Sequence, residues 1–417
     1  MSKFLINGGT KLSGEYSVDC AKNAYLPIIA STILCKEEII LKDCPFFADI
    51  DNMILILRNL GMTAERKGTE LYINGKNAYQ SYIPTELAKV IRSSIFALGA
   101  LLGRFEKAKV AYPGGCDIGL RPIDLHLKGL RDLGVKIIES HGYIYCDASK
   151  MHGGQVYLDY PSVGATENLI MAAVLCKGIT TIINPAKEPE IVDLQNFLNK
   201  MGAKIDGAGT DIITITGVEE LHGTEYRPIP DRIIAGTMLI AAAITGGSIT
   251  VKNCIPQHIS SLYTKLQKSG CEIDVKNDCI FLQSKDRLDS ISFLDTMPYP
   301  GFPTDLQAQM LTLQTVCKGY CIIQENMFES RFKFVPELIK MGANVRVHQR
   351  TAYVSGVPSL LGADVFATDL RGGVALVLAG LCAKGYTTVH DIYHIDRGYS
   401  HIEDALTSLG ASIKRVE

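Results

Sequence analysis

The sequence predicts an α/β protein of two domains, each built from three copies of one unit that keeps its helices inside and its sheets outside. Three observations predict it. First, a helix-like segment ending in glycine recurs six times, as in Leu57-Arg-Asn-Leu-Gly61, Leu130-Arg-Asp-Leu-Gly134 and Leu406-Thr-Ser-Leu-Gly410. The glycines (61, 134, 202, 270, 342 and 410) lie 73, 68, 68, 72 and 68 residues apart, and a steady period of this kind marks a repeated supersecondary unit. Second, another helix recurs out of phase and is apolar all round, as in Val374-Ala-Leu-Val-Leu-Ala-Gly-Leu381; a helix apolar on every side is buried on every side. Third, short alternating segments such as Asn344-Val-Arg-Val-His348 follow each glycine, the pattern of a strand with one face covered.

Each element has a local reason. The six glycines sit just past amphipathic helices, where a left-handed cap is wanted. In the first five units a turn and a second strand follow, such as Tyr353-Val-Ser-Gly356. The apolar helices begin near Lys22, Val90, Ala165, Asp231, Thr304 and Thr368. The sixth unit has no second strand after Lys414. The segment Phe4-Leu-Ile-Asn-Gly8, with Leu12-Ser-Gly-Glu-Tyr16 behind it, matches Ile213-Thr-Ile-Thr-Gly217 and Leu221-His-Gly-Thr-Glu-Tyr226, so the N-terminal strand is expected to close the last domain. The expected domains are 21–229, continuous, and 1–20 plus 230–417. Two crossings, near Cys20 and near Pro228–Pro230, make a double hinge suited to opening and closing around a ligand.

Composition excludes several classes. The formal charge of −2 over 417 residues, without long runs of one sign, argues against nucleic-acid or membrane-surface partners. The start has too short an apolar run for a secretory signal, and no stretch reaches membrane-span length. The twelve cysteines show no disulfide framework, and the pair Cys317 and Cys321 has no second pair to make a zinc site. The expectation is a cytoplasmic protein with reduced thiols, no metal, no cofactor and no obligate protein partner.

The chemistry-bearing residues gather in two kinds of place. One is the mouths of the apolar helices, which carry Lys22, Asn23, Arg92, Glu167, Asp231, Arg232, Asp305 and Arg371. Charge there is costly unless it meets water or a ligand, and helix N-termini attract anions, so a strongly anionic ligand is expected. The other is the equivalent loops, Asp43–Asp49, Asn184–Glu190, Asn253–His258, Glu325–Arg331 and Asp391–Arg397, and the glycine-rich stretch Tyr112-Pro-Gly-Gly-Cys116-Asp-Ile-Gly-Leu-Arg121-Pro-Ile-Asp-Leu-His126. That stretch reads as a lid with a thiol at its tip. His126, at the start of an amphipathic helix, reads as a surface residue or a nucleotide contact.

The motifs Ala21-Lys-Asn-Ala24, Pro113-Gly-Gly-Cys-Asp-Ile-Gly-Leu-Arg-Pro122, Ser162-Val-Gly-Ala-Thr166, Phe302-Pro-Thr-Asp305, Phe328-Glu-Ser-Arg331, Thr368-Asp-Leu-Arg371 and Ile395-Asp-Arg-Gly-Tyr399 together resemble the UDP-N-acetylglucosamine 1-carboxyvinyltransferases of the enolpyruvyl transferase family, over essentially the whole chain. The resemblance implies a pair of inside-out α/β barrels. The implied activity moves enolpyruvate from phosphoenolpyruvate to the 3′-hydroxyl of UDP-N-acetylglucosamine, releasing phosphate, the first committed step of peptidoglycan synthesis. It implies Cys116 as the acid at C3 and the target of the phosphonate epoxide fosfomycin, and Asp305 as the base or orienting group at the hydroxyl. Lys22, Arg121 and Arg397 would hold phosphoenolpyruvate, supported by Arg331 and Arg371. Asn23, Arg92, Asp305 and Met327 would contact the sugar nucleotide. Arg121, Pro122, Ile123, Asp124 and Leu125 would line the uridine, and Ser162, Val163 and Gly164 the diphosphate. Neither a phosphate-cradling P-loop nor a metal cluster is present in the sequence, and breakage of the C–O bond requires neither.

Two departures stand out. Tyr160 occupies a position where relatives often carry lysine, which removes a cation from the diphosphate site. Gly372-Gly373 is expected to loosen the turn that carries Arg371, by roughly 1 kcal/mol per glycine relative to alanine. Two alternatives share the fold: the shikimate-pathway enolpyruvyl transferase, which needs no lid cysteine, and a non-catalytic paralogue that binds the sugar nucleotide and would lose Lys22, Cys116, Asp305 or Arg397.

Overall fold

Alternation of apolar and polar residues builds the strands. Ile212–Thr216 turns Ile213 and Ile215 inward, and Lys3–Asn7 turns Phe4 and Ile6 inward. The computed structural model describes residues 2–89, 92–114 and 123–417, the side chains of Arg92 and Ser93 excepted. These residues form six four-stranded sheets of one plan: an edge strand parallel to its neighbour, then two antiparallel pairings. All six period glycines take positive φ, between 87° and 103°, the left-handed cap that a residue with a Cβ resists.

The chain divides into two compact units. The central unit runs from Cys20 to Ile229. Its buried helices are Lys22–Ser31, Phe96–Phe105 and Val163–Ala173. The helix Phe96–Phe105 is entered through a 3₁₀ turn at Arg92–Ile95. A Cβ on Gly99 would lie 2.2 Å from the Asn168 carbonyl oxygen, so glycine there lets two of these helices touch backbone to backbone. The strand Glu225–Tyr226 returns to pair with Glu38–Leu41 and completes the first sheet. Cys20 goes with this unit, its thiol donating to the Pro228 carbonyl at 3.2 Å.

The terminal unit comprises the residues up to Asp19 and Pro230–Glu417. Its buried helices are Arg232–Thr245, Gln307–Gln314 and Leu370–Cys382. Asp231 and Asp369 cap the first and third, each accepting from two first-turn N–H groups at 2.8 to 3.1 Å. The N-terminal segment supplies two strands rather than one. Lys3–Asn7 lies between Tyr386–His390 and Ser412–Val416, and Ser13–Ser17 forms the parallel edge beside Ser248–Lys252.

The eleven described cysteines are free, and all are buried or half-buried. Burial pushes the Cys20, Cys146 and Cys317 thiols up to about 12, which leaves them protonated and inert. Among the described residues no helix is long and apolar enough to cross a membrane, and no His/Cys/Asp/Glu group is arranged to hold a metal ion.

Candidate active site

In the terminal unit the sequence Pro303-Thr-Asp-Leu306 begins as a single 3₁₀ turn, Thr304–Leu306, leading into Gln307–Gln314. Either Thr304 or Asp305 could cap this helix by residue type; neither does. The Thr304 hydroxyl instead donates to Glu325 Oε2 at 3.0 Å. Glu325 is fully buried, and its Oε1 accepts from the N–H groups of Met327 and Phe328 at 2.8 and 3.0 Å. One carboxylate thereby ties the turn carrying Asp305 to the loop carrying Met327 and Arg331.

Asp305 instead takes two arginines. Its Oδ1 accepts from Arg331 Nη2, and its Oδ2 from Arg371 Nη2 at 2.8 Å. The side chains are 26% exposed for Asp305, 3% for Arg331 and 6% for Arg371, so the arginines are sealed while the carboxylate still meets solvent. Burial pushes the Asp305 carboxyl up, but the guanidinium groups of Arg371 and Arg331 outweigh it and hold the group far below the usual carboxylate range. Arg371 is raised in turn: burial lowers it, and the Asp305 charge more than compensates. Both pairs lie within one unit. Among the described residues Arg331 Nε is buried without a hydrogen-bond partner.

Arg371 is firmly seated, contrary to the expectation from Gly372-Gly373. Asp369 caps its turn, and a Cβ on Gly372 would meet Asp369 Oδ2 at 2.8 Å and Phe334 Cβ at 2.9 Å. A Cβ on Gly373 would meet Ile395 Cγ1 at 2.8 Å. The glycines are there for close packing. Arg371 Nη1 also reaches the Tyr399 hydroxyl at 3.2 Å. Arg397, on the loop after the 3₁₀ turn Ile392–His394, and Met327 are half-buried.

In the central unit Lys22 opens the first buried helix, and its ammonium lies 2.7 Å from Asp49 Oδ2; both side chains are nearly sealed, at 11% and 4% exposed. Asn23 beside it is half-buried. Ser162 caps Val163–Ala173, its Oγ accepting from Ala165 N at 3.4 Å. Val163 and Gly164 are the first two residues of this helix, whose N–H groups have no acceptor within it. Tyr160 is exposed. Ile123 is buried, and Asp124 begins the helix Asp124–Asp132 at the surface, followed by half-buried Leu125.

Two readings of this unit need correction. His126 is buried, and Asn168 holds it. Asn168 Oδ1 accepts from Gly99 N at 2.7 Å, so its Nδ2 donates to His126 Nδ1 at 2.9 Å. An imidazole that accepts at Nδ1 carries its proton on Nε2, and that edge faces Gly164. Glu167, at a helix mouth, is sealed rather than open; burial first, then Glu190 and Glu188, push its carboxyl well up. Cys116, Arg121 and Pro122 lie outside the described residues, as does the side chain of Arg92.

A profile of EPSP synthase (3-phosphoshikimate 1-carboxyvinyltransferase) matches residues 6–406. The UDP-N-acetylglucosamine 1-carboxyvinyltransferase 2 of Caldanaerobacter subterraneus subsp. tengcongensis is 51% identical over 416 residues, covering 100% of each chain. The chain belongs to the enolpyruvyl transferase family, on the UDP-N-acetylglucosamine 1-carboxyvinyltransferase branch. The number 1 protein of that organism is 48% identical, with 99% of each chain covered. Among solved structures, the enolpyruvyl transferase NikO from Streptomyces tendae superposes with a TM-score of 0.89 at 24% identity, covering 100% of this chain and 99% of that one, which shows the fold alone. The enolpyruvyl transferase fold thus carries the two inside-out α/β units.

Sequence reasoning missed three parts of this transferase: Asp49, Glu325 and the partners of Tyr399. Asp49 and Glu325 were signalled. Asp49 ends a loop that repeat symmetry makes equivalent to those of Arg331 and Arg397, and Glu325 begins the loop of Arg331 itself.

Proposed function

We propose that this chain transfers the enolpyruvyl group of phosphoenolpyruvate to the 3′-hydroxyl of UDP-N-acetylglucosamine, the reaction that commits the sugar nucleotide to peptidoglycan. The observation that carries it is Asp305, a part-exposed carboxylate with a buried arginine on each oxygen, in a chain half identical to enzymes of that name.

The hydroxyl oxygen adds to C2 of phosphoenolpyruvate while C3 gains a proton. C3 then gives up a proton, the C2–O bond to phosphate breaks, and the double bond returns. Asp305, held ionised, accepts a hydrogen bond from the hydroxyl and aims its lone pair. Because the arginines make it a weak base, orientation is its main contribution, and the hydroxyl proton passes to water as the C–O bond forms. Lys22, Arg121 and Arg397 bind the carboxylate and phosphate of phosphoenolpyruvate, and Arg331 and Arg371 set the field around Asp305. The Ser162 hydroxyl and the N–H groups of Val163 and Gly164 suit the diphosphate. Asn23, Arg92 and Met327 contact the sugar nucleotide, and Arg121 with Pro122, Ile123, Asp124 and Leu125 lines the uridine. Cys116 is the acid at C3. The site lies in a protein that works in the cytoplasm, where both substrates are made.

A phosphate-release assay decides it. Phosphate should appear from phosphoenolpyruvate only when UDP-N-acetylglucosamine is present, and not when shikimate 3-phosphate replaces it. Release with shikimate 3-phosphate, or none with either acceptor, overturns the reading. Peptide mapping after fosfomycin should find Cys116 as the one modified cysteine; label spread over several would remove its assigned role.

A further inference from the structure

The Asp305 clamp has an inner layer that no step above uses. Arg371 gives only one N–H to Asp305; its other terminal nitrogen, Nη1, is turned to the Tyr399 hydroxyl at 3.2 Å. Tyr399 is buried, as are its other two partners, Thr237 and Gln309. The hydrogen positions in this cluster follow from its acceptors. Thr237 Oγ1 lies 2.8 Å from the Ile233 carbonyl, which can only accept, so the threonine's single hydrogen goes there. The Tyr399 hydroxyl, 2.8 Å from Thr237 Oγ1, must then be the donor of that pair. That leaves its oxygen to accept from Arg371 Nη1 and from Gln309 Nε2 at 3.4 Å. The Gln309 amide is fixed the same way, because Nε2 also donates to the Asp305 carbonyl at 3.0 Å. A one-way chain results: Arg371 to Tyr399 to Thr237 to the Ile233 carbonyl.

We propose that Tyr399 is a positioning residue for Asp305, its hydroxyl holding Arg371 by one nitrogen so that the guanidinium meets the carboxylate through the other alone. An arginine and a carboxylate left to themselves favour the two-bond fork. A fork would occupy both lone-pair directions that face Arg371 and rotate the carboxylate toward it. With Nη1 held back, Arg371 takes Oδ2 and Arg331 takes Oδ1, and the carboxylate keeps the orientation that the two arginines set together. The aromatic ring also lies near the guanidinium, 5.6 Å from its centre, which limits its tilt.

The inference rests on the reading that Asp305 works at the sugar hydroxyl, and the test separates the two. Tyr399→Phe keeps the ring and removes the oxygen. It should lower kcat about tenfold, the scale of one misplaced hydrogen bond, while the KM for UDP-N-acetylglucosamine and for phosphoenolpyruvate each change less than twofold. Thr237→Val, which removes the acceptor for the tyrosine hydrogen, should lower kcat in the same way, and Thr237→Ser should recover it. In an Asp305→Asn background, Tyr399→Phe should cost nothing further, because there is no carboxylate left to aim. If Asp305→Asn turns over like the parent, the reading of Asp305 fails. If Asp305→Asn is impaired but Tyr399→Phe keeps the parental kcat, or if the two losses multiply, the positioning role fails. Should Tyr399→Phe not fold, the Thr237 pair decides: equal kcat for Val and Ser overturns the proposal.

Discussion

Replacing Glu325 by alanine removes the acceptor of three hydrogen bonds, two from the loop N–H groups of Met327 and Phe328 and one from the Thr304 hydroxyl. Bonds to a charged acceptor contribute roughly 1.5–3 kcal/mol each. The three are not additive, since Met327 and Phe328 are only half-buried and water can reach their N–H groups once the side chain is gone. The expected loss is therefore about 3 kcal/mol, near one full bond plus partial losses from two. Glutamine is the informative control. Its oxygen can still serve both N–H groups, and its NH₂ can donate to Thr304 Oγ, which turns to accept, so the loss should shrink to about 1 kcal/mol. The chain has no tryptophan but eighteen tyrosines, so urea unfolding is followed by far-UV circular dichroism and tyrosine fluorescence. Turnover should fall in the same order, because Glu325 fixes the turn that carries Asp305. An alanine variant within about 0.5 kcal/mol of the parent, the noise of a surface substitution, would refute the reasoning, as would a glutamine variant equal to alanine.

Two other outcomes follow from geometry. Gly372→Ala and Gly373→Ala should each destabilise, by about 1–3 kcal/mol through overpacking, although helix propensity alone predicts a gain; a raised melting temperature for either would show that the neighbours at 2.8 Å can yield. Asp193 accepts from the Tyr226 hydroxyl at 2.7 Å and from Ile229 N at 3.1 Å, and burial pushes its carboxyl up to about 6 despite both bonds. A carboxyl raised on folding binds its proton more tightly in the folded chain, so its contribution is full below about pH 4 and is lost as pH rises through 6. The loss is at most ~3 kcal/mol, from a shift of about two units at 1.36 kcal/mol each. Urea stability at pH 5 and pH 7.5 should therefore differ less in Asp193→Asn than in the parent; equal differences would mean that Asp193 does not titrate there.

The repeat and its glycines were legible because a positive φ admits few other residues, so each Gly61-like cap announces itself locally. The buried helices were legible because a run such as Val374–Leu381 can be soluble nowhere. Partner choice was not. Thr304 and Asp305 are interchangeable caps by type, and only the placing of Glu325 and of two arginines from other elements decides that neither caps. Gly372 was misjudged because propensity is a property of an isolated helix, whereas the near contact with Phe334 is made only in the packed unit. His126 was misjudged for the same reason: a polar residue on an amphipathic helix looks exposed until Asn168, forty-two positions away, is known to bond it.

The strand Lys3–Asn7, held between Tyr386–His390 and Ser412–Val416, carries a consequence for synthesis. It is made well before both of its neighbours, which follow it far along the chain. The central unit holds all its own strands and can fold while the chain is still growing. The sheet that holds Lys3–Asn7 must wait for residues 386–416, and the long sequence separation makes that closure slow. During the wait Phe4 and Ile6, later fully buried, stand in water as a short sticky segment, the natural handhold for a chaperone. Chains stalled before residue 386 should already resist protease across the central unit while Lys3–Asn7 remains cleavable; early protection of that segment would show that the strand finds a temporary partner.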